Sequence, residues 1–248
     1  MFIRTSDQSL ELLTELLVDE PSRPDYRLAL AIAWRNRVTV ARIANDSAMG
    51  EESIETAIQH LEELARDFPD KPVYRFELAD TLCLRTSRSS DEKPTSQTLE
   101  RIRRAVVLCE DLIDSYPNVT EYQALMGTSL SRLGMLLQTQ KDLVPAADAF
   151  QRAIVWQKPL AERFSTVSLY QVAYLQSLWG LSEVSLAQQD HAAAIRHLDT
   201  AIARLQILTS NAPENRMLVH YLENLRRRRS EIALPSAVES LSKPQPAG

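Results

Sequence analysis

The sequence predicts an all-α protein, a right-handed superhelix (α-solenoid) of stacked antiparallel helix hairpins. Three observations lead there. A spacing of 48 residues separates Pro21 and Tyr26 from Pro69 and Tyr74, and these in turn from Pro117 and Tyr122. Between these marks, apolar residues return at helical intervals rather than alternating as in strands. Only five glycines stand among 248 residues, with 44% hydrophobic and 25% charged, and that is few for the tight turns of many short strands.

The first element is residues 1–21. Ser9, Leu13, Leu16 and Pro21 occupy the phases of Ala57, Leu61, Leu64 and Pro69, which lie in the second helix (helix B) of a hairpin. The chain therefore opens with a helix B whose helix A is missing. Either the natural polypeptide extends upstream, or this orphan helix is a self-made cap; self-association through it is the matching expectation about partners.

Four hairpins follow, at 22–69, 70–117, 118–165 and 166–213. Helix A of each carries Leu30, Leu78, Met126 or Tyr174 and, four residues on, Trp34, Leu82, Leu130 or Leu178. Helix B carries the columns Ile54, Ile102, Phe150, Leu198; Ala57, Ala105, Ala153, Ala201; Ile58, Val106, Ile154, Ile202; and Leu64, Leu112, Leu160, Leu208. Intervals of three and four residues line one face of a helix, with alanine as the close-packing point. Proline then stops helix B, because it lacks an amide hydrogen and clashes with the preceding turn. Its column reads Pro21, Pro69, Pro117, Ser165, Pro213, and the tyrosine column continues to Tyr170. A ring with a polar tip suits the junction between hairpins. Shorter polar breaks separate A from B, at NDSAMG (45–50), EKPTS (92–96), TQKDLVP (139–145) and AQQDH (187–191), where Asp or Ser can cap helix B. A hairpin of this length holds two helices of roughly 20 residues, about 30 Å long, and buries its stripe only against a neighbour.

Residues 214–232 continue as one more helix A that closes the stack, and 233–248 have the composition of a disordered tail. In the second hairpin the polar stretch RTSRSSDEKPTSQ (85–97) replaces the apolar end of helix A, so a local melt is expected there; its serines read as solvated loop or as modification sites.

Composition narrows function. A net charge of −5 gives no general attraction to nucleic acid or to an anionic membrane surface. The apolar run LALAIAW (28–34) is far short of the roughly 20 residues of a membrane span, and the N-terminus lacks the pattern of a secretory leader, so a cytoplasmic location is expected. Cys83 and Cys109 lack metal-ligand spacing and read as buried reduced thiols. His60 lies in HLEEL, not H-E-x-x-H, and His191, His197 and His220 have no partner at ligand spacing; no phosphate-cradling glycine loop occurs. Neither an enzyme nor a cofactor or metal is expected.

Leu133-Gly134, then Ala146, Phe150 and Ala153, reproduce the LG…A-x3-F-x2-A spacing of the tetratricopeptide repeat, and Leu181-Ser182, Ala194, Leu198 and Ala201 repeat it with Ser for Gly. Residues 118–211 resemble this family strongly. The likeness is weaker over 22–117, where Arg37-Val38 and Arg85-Thr86 stand in the Leu-Gly places. The whole pattern, with its FPDKPVYRFELA and LIDSYPNVTEYQ junctions, is similar to the long-period repeat regions attached to bacterial serine/threonine kinases and alternative sigma factors. The resemblance implies a scaffold in signal transduction that binds proteins or peptides rather than catalysing.

In similar repeats helix A lines a concave groove. Mapped from the LG positions, the partner-binding candidates are Arg35, Thr39 and Arg42; Asp80 and Ser87; Thr128, Ser131 and Gln138; and Gln176, Trp179 and Glu183. Each is a ligand-facing group or simply a solvated one. Trp179 stands out, because its column otherwise holds Arg35, Cys83 and Ser131. It is either an interface anchor or a ring packed against the closing helix. Arg226 to Arg229 oppose the negative end of a helix dipole, or serve a phosphate or nucleic acid. The expected function is a protein–protein interaction scaffold that grips a peptide or helix in this groove. The alternative is a regulatory or sensor segment of a larger kinase or sigma-factor polypeptide, acting in cis.

Overall fold

The computed structural model describes residues 2–84 and 96–233, with side chains described from residue 7 onward. Ser87, most of the stretch 85–97 and the tail from 234 lie outside the described residues. Among the described residues there are ten α-helices and no strand: α1 (Phe2–Asp19), α2 (Pro24–Ala44), α3 (Ser47–Asp67), α4 (Pro72–Leu82), α5 (Ser96–Ser115), α6 (Thr120–Thr139), α7 (Leu143–Arg163), α8 (Ser168–Ala187), α9 (His191–Asn211) and α10 (Arg216–Ala233). They form two compact units, 1–132 and 133–248, divided within α6. In the first, α1 packs on α2, α2 on α3, α3 on α4 and α4 on α5; in the second, α7 packs on α8, α8 on α9 and α9 on α10. Helices 2, 4, 6, 8 and 10 are the A helices and the odd-numbered ones the B helices.

The B-to-A turns share one hydrogen-bond pattern. The amides of Glu20, Phe68, Tyr116, Phe164 and Ala212 donate to the carbonyls of Leu16, Leu64, Leu112, Leu160 and Leu208 at 2.8–3.1 Å. Three residues on, the amides of Arg23, Lys71, Val119, Val167 and Asn215 donate back to the carbonyls of Glu20, Phe68, Tyr116, Phe164 and Ala212 at 3.0–3.3 Å. The proline column falls directly after the first bond, where the chain has left the helix and a missing amide hydrogen costs nothing. The aromatic at the turn meets the tyrosine six residues later: Phe68 with Tyr74 at 5.8 Å between centroids, Tyr116 with Tyr122 at 6.2 Å, Phe164 with Tyr170 at 5.5 Å. At the first turn, Arg23 lies 4.7 Å from the centre of the Tyr26 ring instead.

The A-to-B turns are equally regular. Asn45, Lys141 and Gln189, which share one 48-residue column, have φ of 56°, 64° and 65°. The amides of Asp46, Asp142 and Asp190 then reach back to the carbonyls of Ala41, Leu137 and Ser185, each at 2.9 Å. This is a Schellman closure, made here without glycine. Asp46 and Asp190 go on to cap the next helix, accepting from the amides of Met49 at 2.9 Å and Ala193 at 2.8 Å. A left-handed residue with a β-carbon costs about 1–2 kcal/mol, against a glycine entropy penalty of about 0.5–1 kcal/mol. Gln189→Gly is therefore expected to raise stability by about 0.5–1 kcal/mol, read as a higher urea midpoint; a lower midpoint would show that the side chain is needed.

Burial follows the columns. Ala57, Ala105 and Ala153 are completely buried, as are Ile54, Ile102, Phe150 and Leu198. α1 differs: Leu64 and Leu112 are fully buried, whereas Leu16 in the same phase is 42% exposed and Leu12 is 61% exposed.

Two interior points fix the packing. In the first unit, Ser129 of α6 sits 3.1 Å from the Cys83 sulfur and 3.9 Å from that of Cys109. Burial pushes Cys83 up to about 11 and Cys109 up to about 12, so both remain protonated thiols at neutral pH. In the second, the Phe150 ring of α7 is wedged between Gly134 of α6 and Gly180 of α8. A β-carbon at Gly134 would lie 2.9 Å from its Cγ, and one at Gly180 would lie 2.3 Å from its Cζ.

Candidate partner-binding surface

The described candidate residues lie on α2, α4, α6 and α8, where polar side chains interrupt the apolar stripe. In the first unit Arg35 reaches across to α4, pairing with Glu77 and, at 3.1 Å, with Asp80. Thr39 is exposed and accepts from the partly buried Arg42 at 3.3 Å. Thr128 is partly buried and turns its hydroxyl to the Ala124 carbonyl at 3.0 Å. Ser131 is only 6% exposed and offers a ligand little surface. Nearby, Arg132 donates to the Cys83 carbonyl, so a cation of α6 holds the end of α4.

In the second unit Gln138 is partly buried and Gln176 is exposed. Glu183 forms a two-pronged pair with Arg228 of α10, both contacts 3.1 Å. This hydrogen bond raises the Arg228 pKa and keeps the guanidinium charged. Arg35 to Asp80 and Glu183 to Arg228 span the same 45 residues, so in both units charge ties one A helix to the next.

Trp179 is partly buried and packs against the core cluster that includes Tyr174, Leu178, Leu222 and Leu225. It also lines an open recess of about 530 Å³ with Tyr221, Asn224, Arg227, Arg228 and Glu231 of α10. The indole is thus at once a ring against the closing helix and a wall of a cavity. Arg228 meets Glu231 at 3.6 Å, while Arg227 leaves 73% of its side chain exposed, bonded to Asn224 at 3.1 Å and 4.0 Å from Glu231. Arg229 binds Asp199 of α9, and this bond raises its pKa. Of the arginine run, Arg228 and Arg229 thus tie α10 to its neighbours. Asn224, Arg227 and Glu231 were not among the sequence candidates, yet they lie 48 residues after Gln176, Trp179 and Glu183. Carrying the same columns one helix further would have found them.

A second recess, of about 340 Å³, lies between α3 and α5 and is lined by Glu55, Glu62, Arg101 and Arg104 among others. Its polar groups hold the two B helices together: Gln97 donates to Glu55 at 2.7 Å, Arg104 pairs with Glu62, and the buried Arg101 meets Glu51 at 2.9 Å. Among the described residues, no three His, Cys, Asp or Glu side chains are gathered as a metal ion would require, and no helix is long and apolar enough to cross a membrane. Burial lowers the pKa of both His60 and His197.

No protein-family model matches the chain, and neither does any curated protein. Among solved structures, BtubC (BKLC) from P. vanneervenii is similar over 99% of this chain and 94% of its own, with a TM-score of 0.52 and 15% identity, a likeness that concerns the fold alone. Yeast Tom70 aligns over 97% of this chain and 63% of its own at a TM-score of 0.18 and 10% identity, which supports no argument.

Proposed function

We propose that the protein is a non-enzymatic, tetratricopeptide-like scaffold that binds a partner protein as a peptide or helix laid along its A helices. The observation behind this reading is the recess between α8 and α10, where Trp179 and Tyr221 present partly bare rings beside the guanidinium of Arg227. Aromatic rings and arginine at a pocket are the side chains that dominate interface energies, since they combine apolar area with directed donors. Exposed polar groups on other A helices, Thr39 and Gln176, extend the surface on offer in each unit. The buried thiols, held protonated, and the cation-anion pairs that bridge neighbouring helices serve packing rather than chemistry.

Affinity capture from the source cell tests this, with wild-type chain beside Thr39→Arg and Gln176→Arg. Both positions are exposed, so melting temperatures should hold. A protein partner retained by the wild type and lost by at least one variant is the expected result. Partners retained equally by all three chains, or lost only when melting falls, would defeat the reading.

A further inference from the structure

We infer that the α8–α10 recess takes an acidic peptide segment with one aliphatic or aromatic anchor, an assignment that rests on the scaffold reading above. The volume, about 530 Å³, is within the range of small-ligand pockets and accommodates a side chain with its flanking backbone. Trp179 and Tyr221 supply the apolar wall, and both are anchored from behind by the core cluster, so little ordering is needed on binding.

Charge selects the anchor's neighbours. Arg228 is already satisfied by Glu183 and Glu231 and forms a fixed wall. Arg227 is the exposed cation at the rim, bonded to the Asn224 amide oxygen at 3.1 Å and 4.0 Å from Glu231. An incoming carboxylate is a stronger acceptor than that amide and replaces it without opening any buried pair. α10 carries five arginines against two glutamates in a chain of net charge −5, so the recess opens on the basic segment of an acidic protein. Glu231 in the lining opposes a continuous phosphate backbone, which carries a charge at every residue, whereas a peptide can set a single carboxylate at Arg227 and uncharged groups beside Glu231.

The test uses the full chain with Trp34→Phe and Trp156→Phe, so that Trp179 is the sole indole and reports on its own recess. The probes are an acetylated, amidated peptide with one leucine between paired aspartates and its counterpart with lysines for aspartates. The expected result is a saturable change in Trp179 emission with the aspartate peptide and none with the lysine peptide. Arg227→Glu should weaken the aspartate peptide by about tenfold and admit the lysine peptide, with the thermal melt unchanged. Equal response to both peptides, no response to either, or a response only to oligothymidylate would overturn the inference. A protein partner captured equally well by wild type and Arg227→Glu but lost by Gln176→Arg would sink this inference and leave the scaffold reading standing.

Discussion

Replacing Phe150 with alanine is expected to destabilise the second unit by about 3–5 kcal/mol, the range for removing a large aromatic from a closed core. The ring is completely buried and fills notches on two different A helices. Its truncation therefore empties both contacts at once. The complementary change is Gly180→Ala. Alanine in a helix interior gains about 1 kcal/mol over glycine, but its β-carbon would sit 2.3 Å from the Phe150 Cζ. The ring cannot withdraw toward α6, because Gly134 already lies against its other end. Overpacking of this kind costs about 1–3 kcal/mol, so a net loss of up to about 2 kcal/mol is expected. Combining Gly180→Ala with Phe150→Leu should cost less than the sum of the two, because the smaller side chain makes room for the methyl group. Urea unfolding followed by circular dichroism gives all four corners of the cycle. A stabilised Gly180→Ala protein would mean that the ring moves freely and that the wedge is not tight.

Gln171→Leu is expected to cost about 2–3 kcal/mol, despite similar volume. The Gln171 side chain is buried, donates to the carbonyls of Ala161 at 2.7 Å and Phe164 at 3.3 Å, and accepts from Arg204 Nε at 2.8 Å. Arg204 also donates to the Ala161 carbonyl. One amide thus satisfies the open end of α7 and fixes a cation of α9. Leucine leaves the Arg204 Nε without its acceptor and the Phe164 carbonyl with one bond fewer, at about 1–3 kcal/mol for a stranded buried group. Adding Arg204→Met removes the stranded donor and should recover part of the loss. A double variant less stable than the sum of its parts would show that the three groups do not act as a unit.

How much was legible in the sequence depends on whether one residue type or several meets a structural demand. Burial between helices tolerates only apolar or very small side chains, so columns such as Ile54, Ile102, Phe150 and Leu198 declare themselves. The left-handed turn residues do not: Lys141 and Gln189 hold conformations where glycine would have been the signal. Polar residues on the A helices misled in another way. Ser129 and Ser185 are buried with their hydroxyls bonded to Leu125 and Leu181 four residues back, at 2.8 and 2.9 Å, so small polar residues pack inside while looking solvent-facing in sequence. Ser131, groove-facing by the same pattern, is likewise buried. The bond between Glu183 and Arg228 could not be read from either residue, since it depends on which helix lies alongside. The recess is a milder case, its α10 half being one period beyond the four mapped hairpins.

The turns carry a consequence for how such a chain changes over generations. Because the five B-to-A reversals close with the same backbone bonds at the same phase, a tandem duplication or excision of 48 residues with breakpoints at two of these turns joins turns of matching geometry. Length is then a variable that recombination can adjust in whole hairpins, while substitutions on the A helices alter what each added hairpin recognises.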